Sequence, residues 1–187
     1  MFILLRHMRN NRTKKCIFCF LALIAFTIPA RAGDPQGKPS GKAELKWKPF
    51  EAGFAEARKS DKKVLLDVYT DWCGWCKKLD QNVYSDGRVV KYLNQHYVVV
   101  KLNAEDTTRV NYMDKTSTKT ELAGHFGVRG YPTIIFFGSK GDPINSLPGY
   151  VDADRFLTIV KYIGEDYYKT ITWENFQKMD ASSNAKE

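Results

Sequence analysis

The sequence is poor in the residues that build metal centres and disulfide scaffolds. It has four cysteines and three histidines in 187 residues, and Cys16, Cys19 and His7 all stand before residue 33. The body of the chain keeps only Cys73, Cys76, His96 and His125. A structural zinc site needs four ligands, normally from two closely spaced Cys or His pairs. Cys73 and Cys76 have no second pair to join, which argues against half a zinc site. Exported domains that depend on cystines for stability carry several pairs, so a single close pair points to function over scaffolding. A basic excess is also missing from the body of the chain. Six of the 29 Lys and Arg residues precede Gly33, leaving 23 against 21 acidic residues. That balance gives no support to a nucleic-acid or membrane-surface role.

The first 32 residues read as a secretory signal peptide. Arg6, Arg9, Arg12, Lys14 and Lys15 form a basic front, and residues 17–28 form an apolar core. That core is short of the roughly 20 residues that span a bilayer comfortably. Ala30-Arg31-Ala32 offers a small-x-small cleavage site. An uncleaved anchor is the competing reading, and only that would tie the protein to a membrane. Residues 33–43, rich in Gly, Pro, Lys and Ser, read as a flexible tether. A single domain is expected over residues 44–180, with a disordered tail at 181–187.

What the body does contain is Asp71-Trp72-Cys73-Gly74-Trp75-Cys76-Lys77-Lys78. Two cysteines separated by two residues, after an apolar β-like run and at the opening of a helical one, can close and reopen a small disulfide ring. A helix start leaves backbone N–H groups unpaired and presents its positive dipole end, which favours a thiolate at Cys73. In such motifs the thiol pKa falls from about 8.5 to between about 3.5 and 7.5. Cys73 is therefore the expected nucleophile and Cys76 the resolving thiol. Asp67 interrupts the apolar run at residues 64–69. It is either a strand-end residue reaching solvent or a buried proton acceptor beneath the cysteine pair, its pKa raised by desolvation.

The remaining pattern alternates strands and helices. Residues 45–47 suggest a short first strand, and Phe50, Phe54 and Ala57 an amphipathic helix ending near Ser60. Residues 64–69 read as a central strand covered on both faces. Leu79, Val83 and Tyr84 continue the helix of the motif, and Ser85-Asp86 offers an N-cap for another carrying Val89, Val90 and Leu93. Residues 97–102 are a core strand, residues 103–117 a long polar loop, and residues 118–126 a short helix on which His125 is a packing or surface residue. Pro132 opens a strong strand, a position where a cis peptide after Tyr131 suits the entry. An edge strand at 144–147, a helix capped by Asp152 and a last helix over 165–179 complete the order. Helices alternating with the strongest strands imply a central mixed sheet covered on both faces.

In this order the residues resemble the thioredoxin superfamily, over roughly residues 45–163. Residues 64–77, with Asp67 six positions before Cys73 and Trp72 directly before it, resemble that family's active-site strand and helix. Gly130-Tyr131-Pro132-Thr133 resembles its cis-proline loop, Lys101 its lysine facing the buried aspartate, and Gly149 the glycine of its terminal hairpin. The resemblance implies an α/β, three-layer thioredoxin-like fold with a central mixed sheet flanked by helices, here with an extra C-terminal helix. It implies catalytic roles for Cys73, Cys76, Asp67 and Lys101, and a substrate-binding surface made of Trp72, Gly74, Trp75, Tyr131 and Pro132. No metal or dissociable cofactor is implied, the redox centre being the Cys73–Cys76 disulfide itself. Trp75 stands where thioredoxin has proline, and residues 105–118 are longer than in thioredoxin.

Among relatives of that kind the chain looks most like the exported bacterial members, thiol–disulfide oxidoreductases of the cell envelope. The leading expectation is a periplasmic reductase of protein disulfides, fed by a membrane electron donor. Two other readings stand beside it: a disulfide isomerase, and a redox-silent binding protein in which the cysteine pair is a staple.

Overall fold

The computed structural model describes residues 44–184; the leader and tether readings lie outside them. Helix α1, Phe50–Ser60, buries Phe50, Phe54 and Ala57 on one face and stops at Asp61, whose φ of 53° is left-handed. Gly53 on the same face lies so close to the sheet that a Cβ there would stand 2.3 Å from Val100 Cγ2. Strand β1, Lys63–Tyr69, follows and is buried along its whole middle.

β1 is the centre of the sheet. It pairs in parallel with β2, Tyr97–Asn103, and antiparallel with β5, Thr133–Phe137. β5 in turn pairs antiparallel with β6, Pro143–Pro148, so the order is β2-β1-β5-β6. The sheet is mixed, as expected. Alternate side chains of the inner strands feed two cores. Val64, Leu66, Val68, Val100, Ile135 and Phe137 face α1 and α4, the latter Lys119–His125. Leu65, Val99, Ile134 and Phe136 face α2, α3 and α5, which are Gly74–Asn82, Gly87–His96 and Ala153–Gly164. The caps read from the sequence are in place: Asp86 accepts from the Arg88 and Val89 amides, and Asp152 from that of Arg155.

Three segments differ from the sequence reading. Residues 45–47 are not a strand; the contact with the sheet is one parallel bridge, Lys48 to Val100, with Leu45 and Trp47 packed against the α2 side of the core. The polar stretch at 103–117 is not a loop throughout. It folds into a hairpin of β3, Arg109–Tyr112, and β4, Lys115–Thr118, closed by Met113 and Asp114 at φ 44° and 62°. Tyr112 anchors it, with its ring among Phe50, Phe54, Phe126 and Phe137 and its hydroxyl donating to the Gly141 carbonyl at 2.9 Å.

The C-terminal helix expected over 165–179 is two pieces. Asp166 takes a left-handed φ of 62° and pairs with Lys63 and Lys169. A 3-10 turn at Tyr167–Lys169 follows, and α6 runs from Trp173 to Asn184. Part of the expected tail, residues 181–184, is thus helical. Phe176 holds α6 to α5 through the Tyr162 ring, and Lys161 pairs with Asp180 at 3.0 Å. Among the described residues no helix is long and apolar enough to cross a membrane.

Candidate active site

β1 leaves the sheet at Tyr69, and the Cys73 amide donates back to the Thr70 carbonyl at 3.2 Å, turning the chain into α2. Cys73 is the N-cap of that helix. Its backbone is extended, and its sulfur accepts the Cys76 amide at 3.0 Å, the part an oxygen plays in an ordinary cap. Cys73 and Cys76 are closed as a disulfide with Cα atoms 5.3 Å apart, inside the range a cystine spans without distortion. Both cysteines are buried, at 3% and 4% exposure.

The exposure is carried by their neighbours. Trp72 and Trp75 are 67% and 54% exposed. Trp72 meets the Tyr131 ring edge-on at 5.9 Å and donates from Nε1 to Glu105 Oε1 at 2.9 Å. Trp75 lies 5.4 Å from the Tyr150 ring, with Lys78 Nζ 4.4 Å over its own. The motif is thus flanked by one aromatic pair on each side. The Tyr131–Pro132 peptide is cis, as read from the sequence. Gly149 donates its amide to the Pro132 carbonyl at 2.8 Å, tying the loop that carries Tyr150 to the one that carries Tyr131. A Cβ on Gly74 would meet open space, so packing does not require glycine there.

On the α2 side of the sheet, Asp67 is 1% exposed, so it is not a strand-end residue reaching solvent. Burial raises its carboxyl to about 7, against the opposing pull of the Lys101 ammonium. One of its oxygens, Oδ1, has no hydrogen-bond partner among the described residues. Parallel pairing sets Asp67 beside Lys101 in register. Lys101 nevertheless gives its short contacts elsewhere. Its Nζ is 3.5 Å from Asp67 Oδ2 but 2.6 and 2.8 Å from the two oxygens of Asp80. The expected two-residue pair is therefore a chain of three, Asp67–Lys101–Asp80.

Asp80 was not singled out from the sequence, although the signal was present. It lies four residues after Cys76, hence on the same helix face one turn along. Tyr84 was read only as packing. It is buried, its hydroxyl has no hydrogen-bond partner among the described residues, and its phenol is pushed well above the usual range, first by burial and then by the carboxylates of Asp67 and Asp80. Trp47 was read only as part of a short strand, and Tyr150 was not singled out. His125 is exposed and has the rings of Tyr112 and Phe126 as neighbours, in keeping with a packing or surface residue.

A mixed sheet with helices on both faces, a CxxC pair at a helix start and a cis-proline loop beside it together define the thioredoxin superfamily of thiol–disulfide oxidoreductases. The chain belongs to the thioredoxin-like domain family, whose pattern matches residues 50–164. It is 30% identical over 116 residues to the thiol:disulfide interchange protein DsbD of Pseudoalteromonas atlantica, a match covering 61% of this chain and 18% of that protein. With the DsbD of Yersinia pestis it shares 35% over 110 residues, covering 58% and 17%. The match therefore spans less than a fifth of these relatives. Among solved structures, a putative disulphide-isomerase from Bacteroides thetaiotaomicron is similar at 30% identity and a TM-score of 0.54, over 66% of this chain and 95% of that one. A thioredoxin from Thermus thermophilus, at 23% identity and a TM-score of 0.53, covers 64% and 87% and shares the fold.

Proposed function

We propose that the protein is a periplasmic reductase of protein disulfides, acting through Cys73 and Cys76. The observation that carries this reading is the placement of Cys73 at the N-cap of α2, its sulfur facing the Cys76 amide at 3.0 Å, with a buried carboxyl, raised to about 7 by desolvation, on the strand that leads into that helix. In the reduced protein the helix start stabilises a Cys73 thiolate. The thiolate attacks one sulfur of a substrate disulfide, forming the Cys73–substrate bond and expelling the other sulfur as a thiolate that takes a proton from water. Asp67 then accepts the Cys76 proton. The Cys76 thiolate attacks Cys73 Sγ, and the substrate sulfur departs with the bonding pair and is protonated in turn. Two electrons pass to the substrate, which becomes a dithiol, and the Cys73–Cys76 disulfide is restored.

Trp72, Trp75, Tyr131 and Pro132 form the surface that receives the substrate chain in this scheme, with Gly74 leaving its centre open. The Tyr131 carbonyl is the acceptor for an extended substrate segment, in the manner of strand addition. Regeneration requires an external dithiol. The similarity to DsbD, named for thiol:disulfide interchange, favours a membrane donor of the periplasmic thiol-reductant type. The similarity to the Bacteroides protein, named a putative disulphide-isomerase, favours an isomerase as the second reading.

The two are separated by assaying the mature protein with dithiothreitol on insulin and, without added reductant, on scrambled ribonuclease. A reductase turns over insulin and depends on both Cys73 and Cys76. Recovery of active ribonuclease by a Cys76→Ser variant, with negligible insulin turnover by the wild type, would point to the isomerase.

A further inference from the structure

Lys101 is held by more than its two carboxylates. Its ammonium lies 5.0 Å from the Trp47 ring centre, 5.1 Å from that of Tyr69 and 5.9 Å from that of Tyr84, all inside the distance at which a ring quadrupole attracts a cation. The three rings come from separate places in the fold. Tyr69 ends β1, Tyr84 follows α2, and Trp47 belongs to the segment entering the domain. That segment is fastened to the sheet by the Lys48–Val100 bridge, and Trp47 is locked edge-on against Tyr84 at 5.0 Å. We propose that Trp47, Tyr69 and Tyr84 form an aromatic cage that holds the Lys101 ammonium between Asp67 and Asp80, so that Trp47 is a positioning residue setting the pH at which Asp67 can accept the Cys76 proton.

The inference rests on the reading of Asp67 as that acceptor. The charged groups facing the ammonium are Asp67 from β1 and Asp80 from α2. Tyr69 and Tyr84 are the other titratable groups around it, and the Tyr84 phenol stays neutral across the working range. The Cys76 thiol of the reduced protein lies on α2 one turn before Asp80. The Lys101 side chain is 23% exposed, so a long flexible chain that lost one wall of its cage is free to swing toward water. Asp67 would lose the one cation beside it among the described residues and hold its proton to higher pH. Asp80 works in the opposite sense, because its carboxylate draws the ammonium away from Asp67 and repels a second negative charge there.

The test compares Trp47→Leu, Trp47→Phe and Asp80→Asn with the wild type in two measurements. The first follows the Asp67 carboxyl carbon by 13C NMR through a pH titration of the oxidised protein, which involves no turnover. The second is the pH profile of substrate release from the mixed disulfide on Cys73. Trp47→Leu is expected to move the carboxyl midpoint up by about half a unit to one unit. Trp47→Phe, which restores a ring face, returns it most of the way. Asp80→Asn, at an exposed helix position that does not threaten folding, moves it down. The cage is overturned if the Trp47 variants leave the midpoint in place, or if Asp80→Asn shifts it upward. Were the NMR midpoints to move as expected and the release profile to ignore them, the cage would stand and the proton-acceptor role of Asp67 would fall.

Discussion

Asp67 and Lys101 are register partners across β1 and β2, yet the ammonium stands nearly an ångström closer to Asp80 on the neighbouring helix than to Asp67. A carboxyl buried to this degree, with its cation shared, pays for its charge in desolvation. Its pKa in the folded chain, about 7, exceeds its ordinary value of 3.8. Between those limits the folded state holds a proton that the unfolded state has lost, so stability falls as pH rises through the window.

Asp67→Asn removes that penalty. The variant should match the wild type in stability near pH 4 and exceed it above pH 7, by about 2–4 kcal/mol if most of the shift is expressed in folding. Resolution by Cys76 should slow at the same time. Denaturant melts at pH 4, 6 and 8 check the first part, and insulin turnover the second. A variant less stable than wild type at pH 8, with turnover intact, would make Asp67 a plain structural residue.

The roles of the two sulfurs are tested by trapping. Cys73 caps α2 and receives the Cys76 amide, so a Cys76→Ser variant should form mixed disulfides that nothing resolves, accumulating as covalent adducts on a non-reducing gel. Cys73→Ser should trap little. Equal trapping by both variants would reverse or erase the assignment.

The sequence made most of this centre legible because its signals are local. The apolar run of β1, the placement of Cys73 at a helix start and Pro132 at the mouth of β5 can each be read from a few neighbouring residues. Asp67 beside Lys101 came from the family resemblance, and the parallel register of β1 and β2 places the two side by side. The rest depends on tertiary placement. Trp47 reads as a weak strand, and only the bridge at Lys48 shows that it reaches Lys101. The hairpin escaped because its alternation is short and its turn uses Met113 and Asp114 at positive φ, where Asn-Gly or Asp-Gly is the usual signal. The helix break at Asp166 escaped for a similar reason, a left-handed residue with no glycine.

That hairpin is part of the core on the α1 side, away from the cysteines. Tyr112→Ala should destabilise the domain by about 3 kcal/mol, as aromatic truncations in packed surroundings do. The reduction potential of the Cys73–Cys76 couple should not move. Thermal melting and equilibration against glutathione measure the two. A shift in potential would mean that the hairpin is coupled to the redox site.

Trp75 offers the clearest separation between chemistry and recognition. It is the second residue of α2, where the backbone N–H has no partner within the helix, so proline can replace it without breaking the helix. Trp75→Pro keeps Cys73 as the cap and leaves Asp67, Lys101 and Asp80 in place. It deletes an exposed ring that leans on Tyr150 and lies under Lys78. If that ring binds substrate, kcat/KM for a protein disulfide should fall about tenfold, the loss expected of an interface tryptophan worth about 1.4 kcal/mol. Reduction of a small aromatic disulfide such as dithiobis(nitrobenzoate), which needs only an accessible thiolate, should change less than about twofold on the same argument. The paired assays settle where Trp75 acts, because a ring that tuned the Cys73 thiolate would lower both rates together, whereas a ring that only grips the substrate chain lowers one.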